Sequence, residues 1–219
     1  MAAGEVIVLE GNHEAEFLAD AKADAAKHEE LVAELNESGL SLDQLARCDG
    51  DLGQFLCSLP VAARVGDWFF SHGGNTGGLS IAALSRAIQG GSYKLLDSNS
   101  ILDARVGVQG NWFSEQGGER QTLATYAAAL GVRHMVQGHQ HGAAQFQDGV
   151  KRAAGEMFQR WGLLFFIDVG MSRGVGDSQG ALLRITAHDA DAVCPDGRQT
   201  VLWRANARAD VGRALPCRK

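Results

Sequence analysis

The sequence predicts an α/β layered fold, on three observations. Apolar runs of four to six residues recur along the chain, bounded by glycine or polar turns as buried strands are. Segments of helical periodicity lie between several of these runs, the alternation of a layered α/β protein. With 219 residues and 45% hydrophobic content there is chain for one sizeable core and little more, so residues 1–219 read as a single domain.

The first run, Val6-Ile-Val-Leu9, reads as a strand that stops against Gly11 and the polar Asn12-His13-Glu14. A helical pattern follows from Glu14 to Leu35, with Phe17, Ala21, Ala25, Val32 and Leu35 near one face. Ser41-Leu-Asp-Gln44 fits a capping box that starts a further short helix. Val65-Gly-Asp-Trp-Phe-Phe70 is the next strand, and helices are predicted from Leu79 to Ile88 and from Gln121 to Leu130. His134 to Val136, Leu163 to Ile167, Ala181 to Ile185 and Val201 to Trp203 complete the strands. Between Gly142 and Gly162, Asp148-Gly149 flanked by Phe146 and Val150 signals a small hairpin, placed to line a cleft. No element is predicted after Trp203.

Glycine stands at 28 residues, near twice the usual share of about 7%, and is densest over Gly107–Gly118 and Gly170–Gly180, which marks turns beside a site. Twenty Lys+Arg against 26 Asp+Glu give a formal net charge of -6 with no basic cluster, which excludes nucleic acid and anionic membrane surfaces as expected partners. The N-terminus lacks the pattern of a secretory signal, and no apolar run approaches the ~20 residues of a membrane span. A soluble protein is expected, cytoplasmic by default, with export left open should the chain be a fragment. Cys48, Cys57, Cys194 and Cys217 show no zinc-ribbon spacing and do not make a disulfide framework; a Cys48–Cys57 bridge stays open.

Two later strands end as the first does, in a glycine loop carrying histidine: DWFFSHGG at 67–74 and RHMVQGHQHG at 133–142. Ligands of open α/β sheets gather beyond the carboxyl ends of the strands, so Asn12, His13, His72, His139 and His141 can converge from distant parts of the chain. One histidine at one strand end is more often a hydrogen-bonded structural residue than a ligand. Five such positions in three matched contexts point instead to metal, and imidazole with amide oxygen suits a first-row divalent ion.

GNHE at 11–14, SHGG at 71–74 and GHQH at 138–141 resemble, in that order, the last three blocks of the calcineurin-like metallophosphoesterases. The likeness is greatest to their bacterial Shewanella-like protein phosphatase branch, where a segment similar to Phe166-Ile-Asp-Val-Gly-Met-Ser172 follows the last block. The resemblance runs from Glu5 to about Ile185. It implies a four-layer α/β/β/α sandwich and a two-metal centre of manganese, iron or zinc. The implied activity is hydrolysis of phosphate monoesters, on a phosphoprotein (serine/threonine phosphoprotein among them) or a small phosphate ester. By the same resemblance Asn12, His72 and His139 bind the second ion, His141 matches a histidine that binds the first in many members, and His13 protonates the leaving-group oxygen.

Arg105 and Trp112 lie where related sequences place an arginine and aromatics near the substrate phosphate; a guanidinium can hold two phosphate oxygens, and a surface ion pair is the competing role for Arg105. Arg173, in the glycine-rich loop, has the same character. Glu14 reads as a first-turn carboxylate complementing the helix dipole, and a helix cap is the alternative for His13. His28, His134 and His188 fall outside the blocks and are expected to be structural or solvent-facing.

The family pattern opens with two earlier blocks, D-x-H and G-D-x-x-D-R-G, and neither precedes Gly11 here. Absent with them are the first-metal Asp and His, the bridging Asp, an acidic partner for the general acid and an arginine for phosphate. One expectation is that the chain is the C-terminal portion of a phosphoesterase, completed by an N-terminal segment of the same polypeptide. The other is a non-catalytic pseudo-phosphatase or single-metal binding domain. Either way, about one tightly bound ion at most is expected, and the lost strands should leave an apolar sheet edge unpaired.

Overall fold

The computed structural model describes residues 4–27, 29–107, 110, 112, 118–172, 175, 178–207 and 209–217. Its centre is a six-stranded mixed sheet in the order β1 (Ala62–Val65), β2 (Trp68–Ser71), β3 (His134–Gln137), β7 (Leu164–Phe166), β6 (Met157–Arg160) and β11 (Val211–Ala214). The β2, β3 and β7 strands run parallel; β1, β6 and β11 are antiparallel additions. One face, through Phe69, Met135, Leu164 and Phe166, packs with α6 (Ile81–Gln89) and α7 (Glu119–Leu130). The other face turns Trp68, Val136 and Phe165 onto Ala190, Leu183 and Ile185 of a second, antiparallel sheet. That sheet has the order β10 (Gln199–Arg204), β9 (Asp189–Val193), β8 (Leu182–Ile185).

The molecule is therefore mixed α/β, as the alternation predicts. The expected fourth layer is not seen: Leu182 (73% exposed), Arg184 and Val201 leave the outer face of the second sheet uncovered among the described residues. Among the described residues the layers are helix, sheet and sheet.

Several elements differ from the sequence reading for visible reasons. Val6-Ile-Val-Leu9 forms no strand, and Val6 is 87% exposed. A strand needs a ladder partner, and this run joins neither open edge of the sheet, β1 or β11; Glu10 N–H instead donates to the Pro60 carbonyl at 3.0 Å. The run over Val65–Phe70 is a hairpin rather than one strand, because Gly66 takes φ 57° and turns the chain between Val65 and its partner Trp68. The helix expected over Glu14–Leu35 is three: α1 (Asn12–Ala19), α2 (Ala21–Lys27) and α3 (Glu29–Glu37). Asp20 breaks the first, its side chain accepting from Ala23 N–H at 3.0 Å and so capping the second. Phe17, Ala21 and Leu45 bury the expected face, with Leu35 beside them, whereas Val32 is exposed and the Ala25 side chain lies outside the described residues.

The short helix after Ser41 is α4 (Leu42–Ala46), without a side-chain cap bond, and α5 (Gly50–Cys57) follows it unforeseen. The Asp148-Gly149 hairpin joins β4 (Ala144–Gln145) to β5 (Lys151–Arg152). The tail beyond Trp203 supplies β11, where Gly212 lies so close to the Leu202 carbonyl that a Cβ would stand 1.8 Å from it. All four cysteines are paired, which corrects the expectation of no framework: Cys48–Cys57 and Cys194–Cys217 have Cα separations of 5.8 and 5.6 Å, ordinary for disulfides. No helix among the described residues is long and apolar enough to cross a membrane.

Candidate metal and phosphate site

Parallel pairing of β2 with β3 sets Ser71 opposite Gln137, so both strands end at the same level of the sheet. The residues just beyond, His72 and His139, therefore meet although 67 positions separate them. Asn12 reaches the same place from the first turn of α1 instead of from a strand. Gly11 makes that approach possible, since a Cβ there would stand 3.2 Å from His72 Cε1 and 2.7 Å from Glu14 Oε2. His72 Nε2 lies 3.0 Å from Asn12 Oδ1 and 3.2 Å from His139 Nδ1. His139 holds φ at 56°, a left-handed conformation that costs energy for a residue with a Cβ and that recurs at functional sites.

Burial pulls the His72 imidazole down to about 4, helped by His139 and opposed by Glu14 and Asp168. Burial also lowers His139, with Arg105 in the same direction and Asp103 and Asp168 against it. Both rings are thus neutral near pH 7. Asn12 Oδ1 only accepts hydrogen bonds, and one protonated ring nitrogen cannot satisfy two acceptors well, so the three atoms form a concentration of lone pairs. Ligand atoms about 2.1 Å from an ion stand about 3.0 Å apart at right angles and about 3.4 Å apart at tetrahedral angles. The two observed spacings fall in that interval and equally in the range of ordinary hydrogen bonds, so His72 paired with Asn12 or with His139 is compatible with a divalent ion. On the far side of its ring, His139 Nε2 is 2.9 Å from Asp103 Oδ1, an ion-pair distance without hydrogen-bond geometry, so the carboxylate acts on the ring electrostatically. Among the described residues no group of three or more His, Cys, Asp or Glu is arranged to hold a metal; Asn12 supplies the third donor here, and no carboxylate joins it.

His13 is exposed on the first turn of α1, close enough to His72 to lower its proton affinity. His141 is also exposed and does not join the three-atom cluster through any described contact; it lines an adjoining cavity of about 570 Å3 together with His139 and Arg105. Trp112 is buried rather than facing a substrate space: it is 3% exposed, tilted 33° against Tyr126 with ring centroids 5.8 Å apart and pressed against Gly74. Glu14 lies in the first turn of α1, as expected, and also accepts from Gly11 N–H at 2.9 Å. His134 is structural, its Nδ1 at 2.5 Å from the Gly162 carbonyl and its ring stacked 4.1 Å from Trp68. His188 lies on the surface, whereas His28 and Arg173 lie outside the described residues.

Three residues that sequence reasoning passed over complete the surroundings. Asp103 arrives on the loop that Gly73 touches, where a Cβ would stand 2.8 Å from Asp103 N. Asp168 follows β7, the third parallel strand, and acts electrostatically on both histidines. Its signal was present in Phe166-Ile-Asp168, a strand end like the others but without histidine. Arg152 is fully buried and spends its guanidinium on four backbone carbonyls: Glu156 at 2.8 Å, Gln140 at 2.6 Å, Gly142 at 2.7 Å and Asp168 at 2.6 Å. Burial pulls it down to about 10, against Asp168 and Glu156, so it stays cationic at neutral pH and ties the histidine loop to the Asp168 loop.

No protein-family model matches the chain, and no curated protein matches it. Among solved structures it is similar to one described as a cold-active protein tyrosine phosphatase, with a TM-score of 0.64 and 20% identity over 95% of this chain and 60% of that one. Two more, a single-substitution mutant of a cold-active protein tyrosine phosphatase and the cold-active protein-tyrosine phosphatase of a psychrophilic Shewanella species, each give a TM-score of 0.61 and 21% identity over 92% of this chain. The chain spans 60% of the length of each of these proteins. At this identity the likeness establishes a shared fold.

Proposed function

We propose that the chain carries one half of the active site of a metal-dependent phosphoesterase of the calcineurin-like kind, acting on phosphate monoesters. The observation that carries the reading is the convergence of Asn12 Oδ1, His72 Nε2 and His139 Nδ1 at spacings that suit coordination. The fold likeness to proteins described as phosphatases supports it. Asn12, His72 and His139 would hold manganese, iron or zinc, with His141 close by for a further ion. A bound ion would supply Lewis-acid polarisation of a phosphoryl oxygen. His13, exposed beside His72, is placed to give its proton to the departing oxygen, and Arg105, on the wall of the adjoining cavity, to bind phosphate oxygens. The carboxylate ligands are proposed to come from an N-terminal segment of the same polypeptide, in keeping with the 60% span of the similar structures.

A second reading, a non-catalytic or single-metal binding domain, draws on the absence of any carboxylate from the converging donors among the described residues. The test is hydrolysis of an alkyl and an aryl phosphate with manganese, by this chain and by a version extended upstream to any in-frame D-x-H and G-D-x-x-D-R-G blocks. The phosphoesterase reading expects activity in the extended form, little in the short one, and a loss of about 10²-fold in kcat for His13→Ala, larger on the alkyl ester. An extended form that binds metal but hydrolyses neither ester would establish the second reading.

A further inference from the structure

The cavity of about 570 Å3 beside the histidines has a composition at odds with the rest of the molecule. The chain as a whole carries a formal charge of -6, yet among the described residues no aspartate or glutamate lines this cavity. Its charged and titratable side chains are Arg105, Lys151, Arg152, His139 and His141. Of the three cations, Arg152 is buried and bound to backbone carbonyls, so it stiffens the wall without facing a ligand. Asp103, the carboxylate nearest His139, is turned to that ring's Nε2. Lys151 is exposed at the start of β5 and lines the same cavity.

We infer that this cavity is a second anion subsite, and that the phosphoesters the chain takes carry a further negative group, a carboxylate or a second phosphate, on their organic part. The inference rests on the phosphoester reading of the histidine site. With the phosphate at His139 and Arg105, the organic part of the ester enters a space lined by the small residues Gly142, Ala143 and Ala144 and by Lys151. Among the described residues no aromatic side chain lines it, so a base or phenyl ring finds no stacking partner there, whereas an anion finds an ammonium group. The volume lies within the range of small-ligand pockets. The Arg152 bonds to Gln140 and Gly142 fix the hairpin relative to His139, so the two anion positions have a set spacing.

The experiment is calorimetric binding to the manganese-loaded chain, comparing ethyl phosphate with phosphoglycolate, and a phosphoserine peptide flanked by alanine with one flanked by aspartate. The doubly anionic member of at least one pair should bind about fivefold tighter or more, the scale of one partly exposed ion pair, and the preference should shrink as salt rises. The small pair and the peptide pair distinguish a metabolite source from a protein source of the second charge. Lys151→Met should bring the ratio near one, and Lys151→Glu should invert it; circular dichroism checks that both are folded. Equal binding within both pairs in the natural chain, or a preference that survives Lys151→Glu, overturns the subsite while leaving the phosphate site standing. Failure of every phosphate to bind, with manganese demonstrably held, overturns both.

Discussion

Acidifying the metal-free chain should destabilise it through His72 before its carboxylates matter fully. The imidazole is held at about 4 in the folded state, chiefly by burial, against 6.5 for the free side chain. Above the unfolded value both states are neutral and His72 contributes no pH dependence. As pH falls through 6.5 the unfolded chain takes up a proton that the native one refuses until about 4, so stability is lost across that window. Linkage arithmetic gives about 2 kcal/mol lost by pH 5 and about 3 kcal/mol by pH 4. Urea unfolding in chelator at pH 7 and pH 5, for the natural chain and His72→Gln, isolates this share, because carboxylates elsewhere titrate alike in both. The natural chain should lose about 2 kcal/mol more than the variant over that interval. Equal losses would refute the claim that His72 is buried neutral against His139.

Manganese titration should show one tight ion per chain at most, and Asn12→Ala or His139→Ala should abolish that binding; Asp103→Asn, which spares the ligands, should weaken it about 10-fold, read by paramagnetic resonance of free manganese. Gly212→Ala should cost more than about 3 kcal/mol or prevent folding, since the added carbon has no room beside the Leu202 carbonyl; urea midpoint and soluble yield measure it. Replacing both Cys194 and Cys217 by serine should lower stability by about 3 kcal/mol, the loop-closure scale for a separation of 23 residues, with a smaller loss for the Cys48–Cys57 pair separated by 9.

What the sequence disclosed and what it withheld divide along a physical line. The strands at His134–Gln137 and Leu164–Phe166 were legible because buried faces in a row leave an apolar word between turns. Their parallel pairing then carries His72 and His139 together, so glycine-histidine words at two strand ends were enough to place the pair. Val6-Ile-Val-Leu9 was written in the same alphabet and made no strand, since strand formation depends on pairing with a neighbour as well as on composition. Asp103 and Asp168 escaped because a carboxylate in a loop is common, and only the fold shows which of them face an imidazole. Arg152 escaped for the opposite reason. A lysine-arginine pair beside a turn looks like solvated surface, and nothing local announces that the second member is wholly buried while the first is exposed.

The four carbonyls gathered by Arg152 also separate what can vary from what cannot. The guanidinium joins the histidine loop, the hairpin base and the Asp168 backbone into a single stiff part, while residues 146–150 at the hairpin tip lie beyond its grasp. Phe146 is fully buried and Asp148 pairs with Arg160, so the freedom lies in the exposed positions beside them, Gln145 and Lys151, whose charge can change without shifting His139. A lineage or a designer seeking new ester preferences would find its freedom there, one strand away from chemistry that stays in place.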